Sequence, residues 1–224
     1  MPRVAPSADP REPQGPRLPE GPRTTGHDER PAHELRLDGV ALDWRDEAGV
    51  DARSMTIERA LGDRLELSAA RLPRLSLQDV ALTGGSLANA DLRDASLHRV
   101  ALTRVRLTGV RLTDARLEDV VLRGCLLDLA SLGGARLRRV VLEDCRVTGT
   151  DLQEVACEDL VMGDCDLTEV DLSDARFTRT EMRGCTLDGA RGLDRLRGVG
   201  MRWEDVLQSA GPFAAHVGVR LLDA

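Results

Sequence analysis

From Leu67 to Leu187 the sequence repeats every five residues without losing frame. In ALTGGSLANADLRDASLHRVALTRVRL the residues Leu82, Leu87, Leu92, Leu97, Leu102 and Leu107 are each five apart. Two positions before each stands something small or branched: Val80, Gly85, Ala90, Ala95, Val100 and Val105. The frame continues with Leu152, Cys157, Met162, Leu167, Leu172, Phe177, Met182 and Leu187 in the central position. On an α-helix a step of five residues turns by about 140°, which scatters the leucines around the axis. In a flat strand an odd step sends successive leucines to opposite faces. The pattern is consistent only with a chain that turns a corner every five residues, so that each central residue and the small one before it share one interior.

Four corners close a square, so one coil takes twenty residues, and stacked coils lie about 4.8 Å apart, paired like neighbouring strands. Two columns report that length independently. Cys125, Cys145, Cys165 and Cys185 are twenty apart, each two before a central residue. Asp79, Arg99, Asp119, Arg139, Asp159 and Arg179 keep the same interval and alternate in sign. Stacked cysteines at this spacing cannot surround a metal tetrahedrally and are poorly aimed for disulfides, so they read as inert interior filler. The charged column reads as an outer ladder of opposite charges, each contact worth about 0.2 to 1 kcal/mol. With no Tyr, two Phe and two Trp, the interior is narrow and aliphatic.

Units such as ADLRD (Ala90 to Asp94), ARLED (Ala115 to Asp119), CDLTE (Cys165 to Glu169) and VDLSD (Val170 to Asp174) resemble those of the pentapeptide-repeat family. The resemblance is close over residues 65–190 and looser over 35–64. It implies an all-β solenoid, a right-handed quadrilateral β-helix usually without enzymatic activity. It is distantly similar to the quinolone-protection members of that family. Those resemble duplex DNA in size, shape and negative charge, and bind type II topoisomerases in its place.

The flanks differ in kind. Residues 1–33 are rich in Pro and Arg and poor in apolar side chains, which predicts a disordered tail. Arg3, Arg11, Arg17 and Arg23 along it suit either a solvated tether or an arm for an acidic partner. Residues 34–64 predict an irregular first coil, with a loop near 43–52 and poor closure at Gly62. Residues 191–224 predict a short helical cap over the open end of the stack. Trp203, Leu207 and Phe213 are its candidate cap or dimer contacts, leaving a monomer or a C-terminally mediated homodimer.

Charge sorts the faces. Asp91, Asp94, Asp114, Asp151, Glu154, Asp171 and Asp174 stand on one face against Arg93 and Arg111, a candidate partner-binding surface. The next face leans basic. A third carries the outward column Ala81, Ala101, Val121, Val141 and Val161. That stripe is either a seat for a partner or for the chain's own N-terminal segment, or ordinary β-propensity on a sheet surface. Along the axis, residues 65–139 hold 8 acidic and 12 basic side chains, whereas residues 140–190 hold 13 and 4. Over about 30 Å a DNA duplex carries on the order of seventeen charges, far more than this repeat region, so mimicry suits only the late coils.

Lysine is absent, which excludes amine chemistry and a phosphate-binding loop with its Lys. Asp171 and Asp174 resemble an acid/base pair but fit a solvated face better. His27, His33, His98 and His216 show no ligand spacing. No cofactor, metal or enzymatic activity is expected, and a net charge of -7 disfavours direct nucleic-acid binding. No apolar run reaches membrane-span length and no signal peptide is evident, so a cytoplasmic protein is expected. The reading is a non-catalytic interaction or scaffold protein with an unknown protein partner. The alternative is a DNA mimic that binds DNA gyrase or another type II topoisomerase.

Overall fold

The computed structural model describes residues 9–26 and 29–220. Arg3 and His27 therefore fall outside the described residues. Every fifth residue from Ser54 to Gly189 has a left-handed backbone, with φ between 48° and 70°. This is the corner that the five-residue period demands. Asp, Asn and Gly suit it because they tolerate this conformation best. Arg and even Leu129 also occupy it, held there by ladder hydrogen bonds to the next coil.

The parallel sheet comprises β1 (Arg23–Thr24), β2 (Arg36–Asp38), β3 (Val40–Leu42), β4 (Thr56–Asp63), β5 (Ser76–Thr83), β6 (Ser96–Thr103), β7 (Arg116–Arg123), β8 (Arg136–Glu143), β9 (Ala156–Gly163), β10 (Arg176–Arg183) and β11 (Gly200–Met201). From β4 to β10 each strand pairs with the next at a shift of twenty residues, as in Leu97 with Leu117 and Leu117 with Leu137. Each of these strands continues around one left-handed corner and so serves two faces of the coil. The other two faces are held by single bridges, such as Asp151 to Asp171, and by turn bonds such as Ala90 N–H to the Leu87 carbonyl.

The interior is filled by the two columns that the frame defines, the central residues and the small ones before them. Leu92, Leu112, Leu132 and Leu172 are buried, as are Val80, Val100, Val120 and Val140. The cysteine column lies inside with all thiols free. Each thiol donates to a carbonyl of the preceding coil: Cys125 to Leu102 (3.5 Å), Cys145 to Leu122 (3.6 Å), Cys165 to Leu142 (3.6 Å) and Cys185 to Met162 (3.5 Å). The Thr150 hydroxyl makes the equivalent bond to Leu127 (2.7 Å), so a buried polar atom at this position is satisfied by the backbone.

The early coils are more regular than the sequence predicts. At Gly62 the strand β4 stays in full register with β5. A methyl group added there would meet Leu82 at 2.7 Å and Leu65 at 2.9 Å, so neighbouring leucines already occupy the missing side chain's space. The expected loop near 43–52 has no strand before Asp51 bridges Arg71. Within it Trp44 is buried, its indole N–H bonded to the Glu29 carbonyl at 2.8 Å. One ring thus lies in the core at a coil whose sequence frame offers only Arg45 and Glu47, of which Arg45 is exposed. At the far end a 3₁₀ turn, Leu193–Leu196, buries both its leucines. Strand β11 then adds to β10, and α1 (Trp203–Gln208) and α2 (Ala210–His216) follow.

The largest departure from expectation concerns the proline-rich segment. Residues 9–26, expected to be disordered, lie along the solenoid and end in β1, which pairs with Val40 and Ala41 of β3. The physical reason is a specific set of hydrogen-bond acceptors on the solenoid surface, Asp79, Asp119 and Asp159.

Burial raises the Cys157 thiol to about 12, and the whole column is enclosed. None of the five thiols is therefore expected to react with a thiol-exchange reagent in the native protein, and all five should react in denaturant. A native-state stoichiometry of one or more would contradict the interior placement.

Candidate interaction surfaces

The seven acidic residues singled out on one face separate into two groups with different work. Asp91, Asp151 and Asp171 precede a central leucine, and their carboxylates accept the backbone N–H two residues on, at Arg93 (3.3 Å), Gln153 (3.0 Å) and Ser173 (3.0 Å). These are local turns closed by the side chain, which Asp forms readily. Asp91 and Asp171 are buried, and both are also paired with arginines of their own column, Arg111 and Arg191. Their charge is largely committed inside the fold.

Asp94, Asp114, Glu154 and Asp174 occupy the left-handed corner instead, and all four are exposed. They form one column, interrupted by Gly134, and among the described residues Asp174 alone of the four carries an ion pair, to Arg195 at 2.7 Å. A methyl group on Gly134 would come within 2.8 Å of the Asp114 carboxylate, so the Asp114 side chain lies over that gap. These corner carboxylates are the exposed ones among the seven.

At the neighbouring column the alternation of Asp and Arg has a purpose beyond a ladder. Arg99 grips Asp79 with two bonds of 2.6 Å, Arg139 grips Asp119 at 2.6 and 2.7 Å, and Arg179 grips Asp159 at 2.6 and 3.0 Å. The three aspartates are buried, with 3%, 2% and 1% of their surface exposed. Each keeps an acceptor for the proline-rich segment. Arg17 N–H donates to Asp79 (2.9 Å), Gln14 N–H to Asp119 (2.9 Å) and Arg11 N–H to Asp159 (3.1 Å). The segment therefore runs antiparallel to the direction of coil growth. The guanidinium of Arg99, and then the backbone N–H of Arg17, hold the Asp79 carboxyl at about 2. The corresponding Arg and backbone N–H groups lower Asp119 and Asp159 as well.

The C-terminal residues divide likewise. Phe213 is half-buried and packs against the core, which makes it the cap contact. Trp203 and Leu207, one turn apart on α1, are 69% and 56% exposed. Among the described residues no cluster of three or more His, Cys, Asp or Glu is arranged to hold a metal, and no helix is long and apolar enough to cross a membrane.

A chain of stacked twenty-residue coils with a left-handed corner every fifth residue is a β-solenoid of pentapeptide units. Sequence comparison agrees: a pentapeptide repeat region is matched over residues 75–152, and pentapeptide repeats over residues 161–191. Residues 75–152 and 161–191 belong to the pentapeptide-repeat family. No curated protein matches the chain in sequence. Similar solved structures include a trypsin-treated form of QnrB1, a plasmid-mediated fluoroquinolone resistance protein. It is 15% identical, with 85% of this chain and 99% of that one covered and a TM-score of 0.34. HetL, a pentapeptide repeat protein involved in heterocyst differentiation regulation from the cyanobacterium Nostoc sp. strain PCC 7120, is 19% identical, with 75% and 87% covered and a TM-score of 0.26. Rfr23 from the cyanobacterium Cyanothece 51142 is 18% identical, with 53% and 88% covered and a TM-score of 0.28. At these values the likeness carries no conclusion about partner or activity.

The depressed carboxyls set a pH window. A group held lower in the folded than in the unfolded chain stabilises fully above its unfolded value, about 3.9 for Asp, and loses that contribution as pH falls through the folded one. Stability contributed by Asp79, Asp119 and Asp159 should thus be constant from pH 8 to about 5 and decline between about pH 4 and 2. Urea midpoints measured across this range should fall less steeply for Asp79→Ala than for the wild-type chain. Equal slopes would detach the acid sensitivity from this column.

Proposed function

We propose that the protein is a non-catalytic interaction scaffold whose corner carboxylates Asp94, Asp114, Glu154 and Asp174 receive a basic protein partner. The observation that supports this is the division of the acidic face. Carboxylates before a central leucine close backbone turns, whereas those at the corners point into solvent from a rigid stack. A repeated rigid spacing of like charge favours a complementary surface and raises the rate of encounter with it. The test uses the intact chain as bait in its native host, beside the variant Asp94→Asn, Asp114→Asn, Glu154→Gln, Asp174→Asn. A partner retained by the first should bind the second at least tenfold more weakly and lose affinity with salt. Unchanged binding would remove the stripe from the interface.

A second reading is a DNA mimic acting on a type II topoisomerase, and the charge distribution favours it in one place. Residues 140–190 carry 13 acidic side chains against 4 basic ones on a rod of regular width. Supercoiling by DNA gyrase, with and without a quinolone, should change at micromolar protein if this reading holds. No change in either activity or inhibition would eliminate it.

A further inference from the structure

The segment that lies on the solenoid carries Pro10, Pro13, Pro16, Pro19 and Pro22, one at every third residue. All five prolines are half-buried, while the residues between them, among them Arg11, Glu12, Gln14, Gly15, Arg17 and Leu18, are exposed. Up to Pro19 that threefold pattern is the signature of a polyproline II helix laid with one edge against a surface; the chain then bends at Glu20 and Gly21, where φ is 62°. The backbone of such a helix makes no internal hydrogen bonds, so every N–H is free for an external acceptor. The acceptors are Asp159, Asp119 and Asp79, met by the residues immediately after three successive prolines.

The fit is one of commensurate periods. Three residues of polyproline II advance about 9.3 Å, and two coils of the solenoid advance about 9.6 Å. Carboxylates forty residues apart along the column therefore fall at the pitch of the peptide. This explains why Asp stands only at every second coil. The arginine between presents no acceptor and instead clamps the preceding Asp, aiming it and keeping it ionised. The hydrogen bonds of the strip come from backbone N–H groups, with the prolines turned toward the surface. The side chains at the other two positions of each turn are exposed, and the Arg11 and Arg17 guanidiniums add a favourable charge toward Asp159 and Asp79.

We propose that the strip formed by Asp79, Asp119 and Asp159 is a receptor for polyproline II peptides with Pro at every third residue. Residues 10–19 are its tethered occupant, and a proline-rich segment of a partner protein is the ligand that replaces it. Occupancy in cis masks the receptor, because a tether this short holds its ligand at about millimolar effective concentration. A partner with several such repeats, or release of the segment, opens the strip. This surface is separate from the corner carboxylates, and neither proposal depends on the other.

The test is performed on the full chain. In the variant Pro10→Ala, Pro13→Ala, Pro16→Ala, Pro19→Ala, Pro22→Ala the solenoid is untouched and the occupant is weakened. A fluorescent synthetic peptide of residues 9–24 should bind this variant at least tenfold more tightly than it binds the wild-type chain, by anisotropy. A peptide of the same composition with its prolines shuffled should bind neither. Adding Asp79→Ala, Asp119→Ala and Asp159→Ala should reduce binding at least tenfold. Equal affinity for the wild-type and five-proline chains, or for the shuffled peptide, would overturn the proposal. Because the Asp variants leave arginines unpaired, hydrogen exchange on the wild-type chain gives a second readout. The amides of Arg11, Gln14 and Arg17 should exchange at least tenfold more slowly than those of Glu12 and Leu18. Uniform exchange along the segment would overturn it, as would a wild-type dimer that dissociates in the five-proline variant, since that places the segment on a second copy.

Discussion

The structure rests on the parallel hydrogen-bond ladder between coils, because the ladder fixes the vertical spacing at about 4.8 Å and converts a sequence interval of twenty into spatial adjacency. Once that spacing is set, every column is a line of identical environments. Interior columns take Leu, Val, Ala and Cys; corner columns take residues that accept a left-handed backbone; outer columns take charge. The cysteines belong to this logic. Cys and Thr150 occupy equivalent places and make the same bond to a carbonyl of the preceding coil. This place in the unit thus accepts a small side chain with a donor beside the Val and Ala that fill it elsewhere.

The same spacing governs how anything else attaches to the rod. A β-strand added at the edge follows the ladder, as β1 does on β3. A polyproline helix lying along the axis has a different repeat, and it docks because three of its residues nearly equal two coils. Alternating Asp and Arg serves both demands: adjacent coils pair by charge, and alternate coils offer an acceptor. Bidentate Arg contacts are needed here because a buried carboxylate without a partner would be strongly destabilising.

Carboxylates of the same type do unlike work on this surface according to their place in the five-residue unit. Asp151 and Asp171 are spent on backbone turns, whereas Glu154 and Asp174, three residues later, project from corners. Net charge per face overstates what a partner can reach for that reason. The apolar ends follow a similar division. Trp44 and Phe213 serve the interior, while Trp203 and Leu207 remain on the surface.

The five-residue period by itself determined the corners, the twenty-residue coil, the composition of the interior and the place of the cysteine column, because local sterics and burial repeat with the chain. It misread Gly62, whose gap is filled by Leu65 and Leu82 from other units, and the proline-rich segment, whose composition alone gives it no core to join. The signal for that segment was present as prolines at every third residue and aspartates at every fortieth. Neither has meaning alone. Only the tertiary structure brought the two periods into register, since a match between a pitch along one element and a spacing across another exists only when both are built.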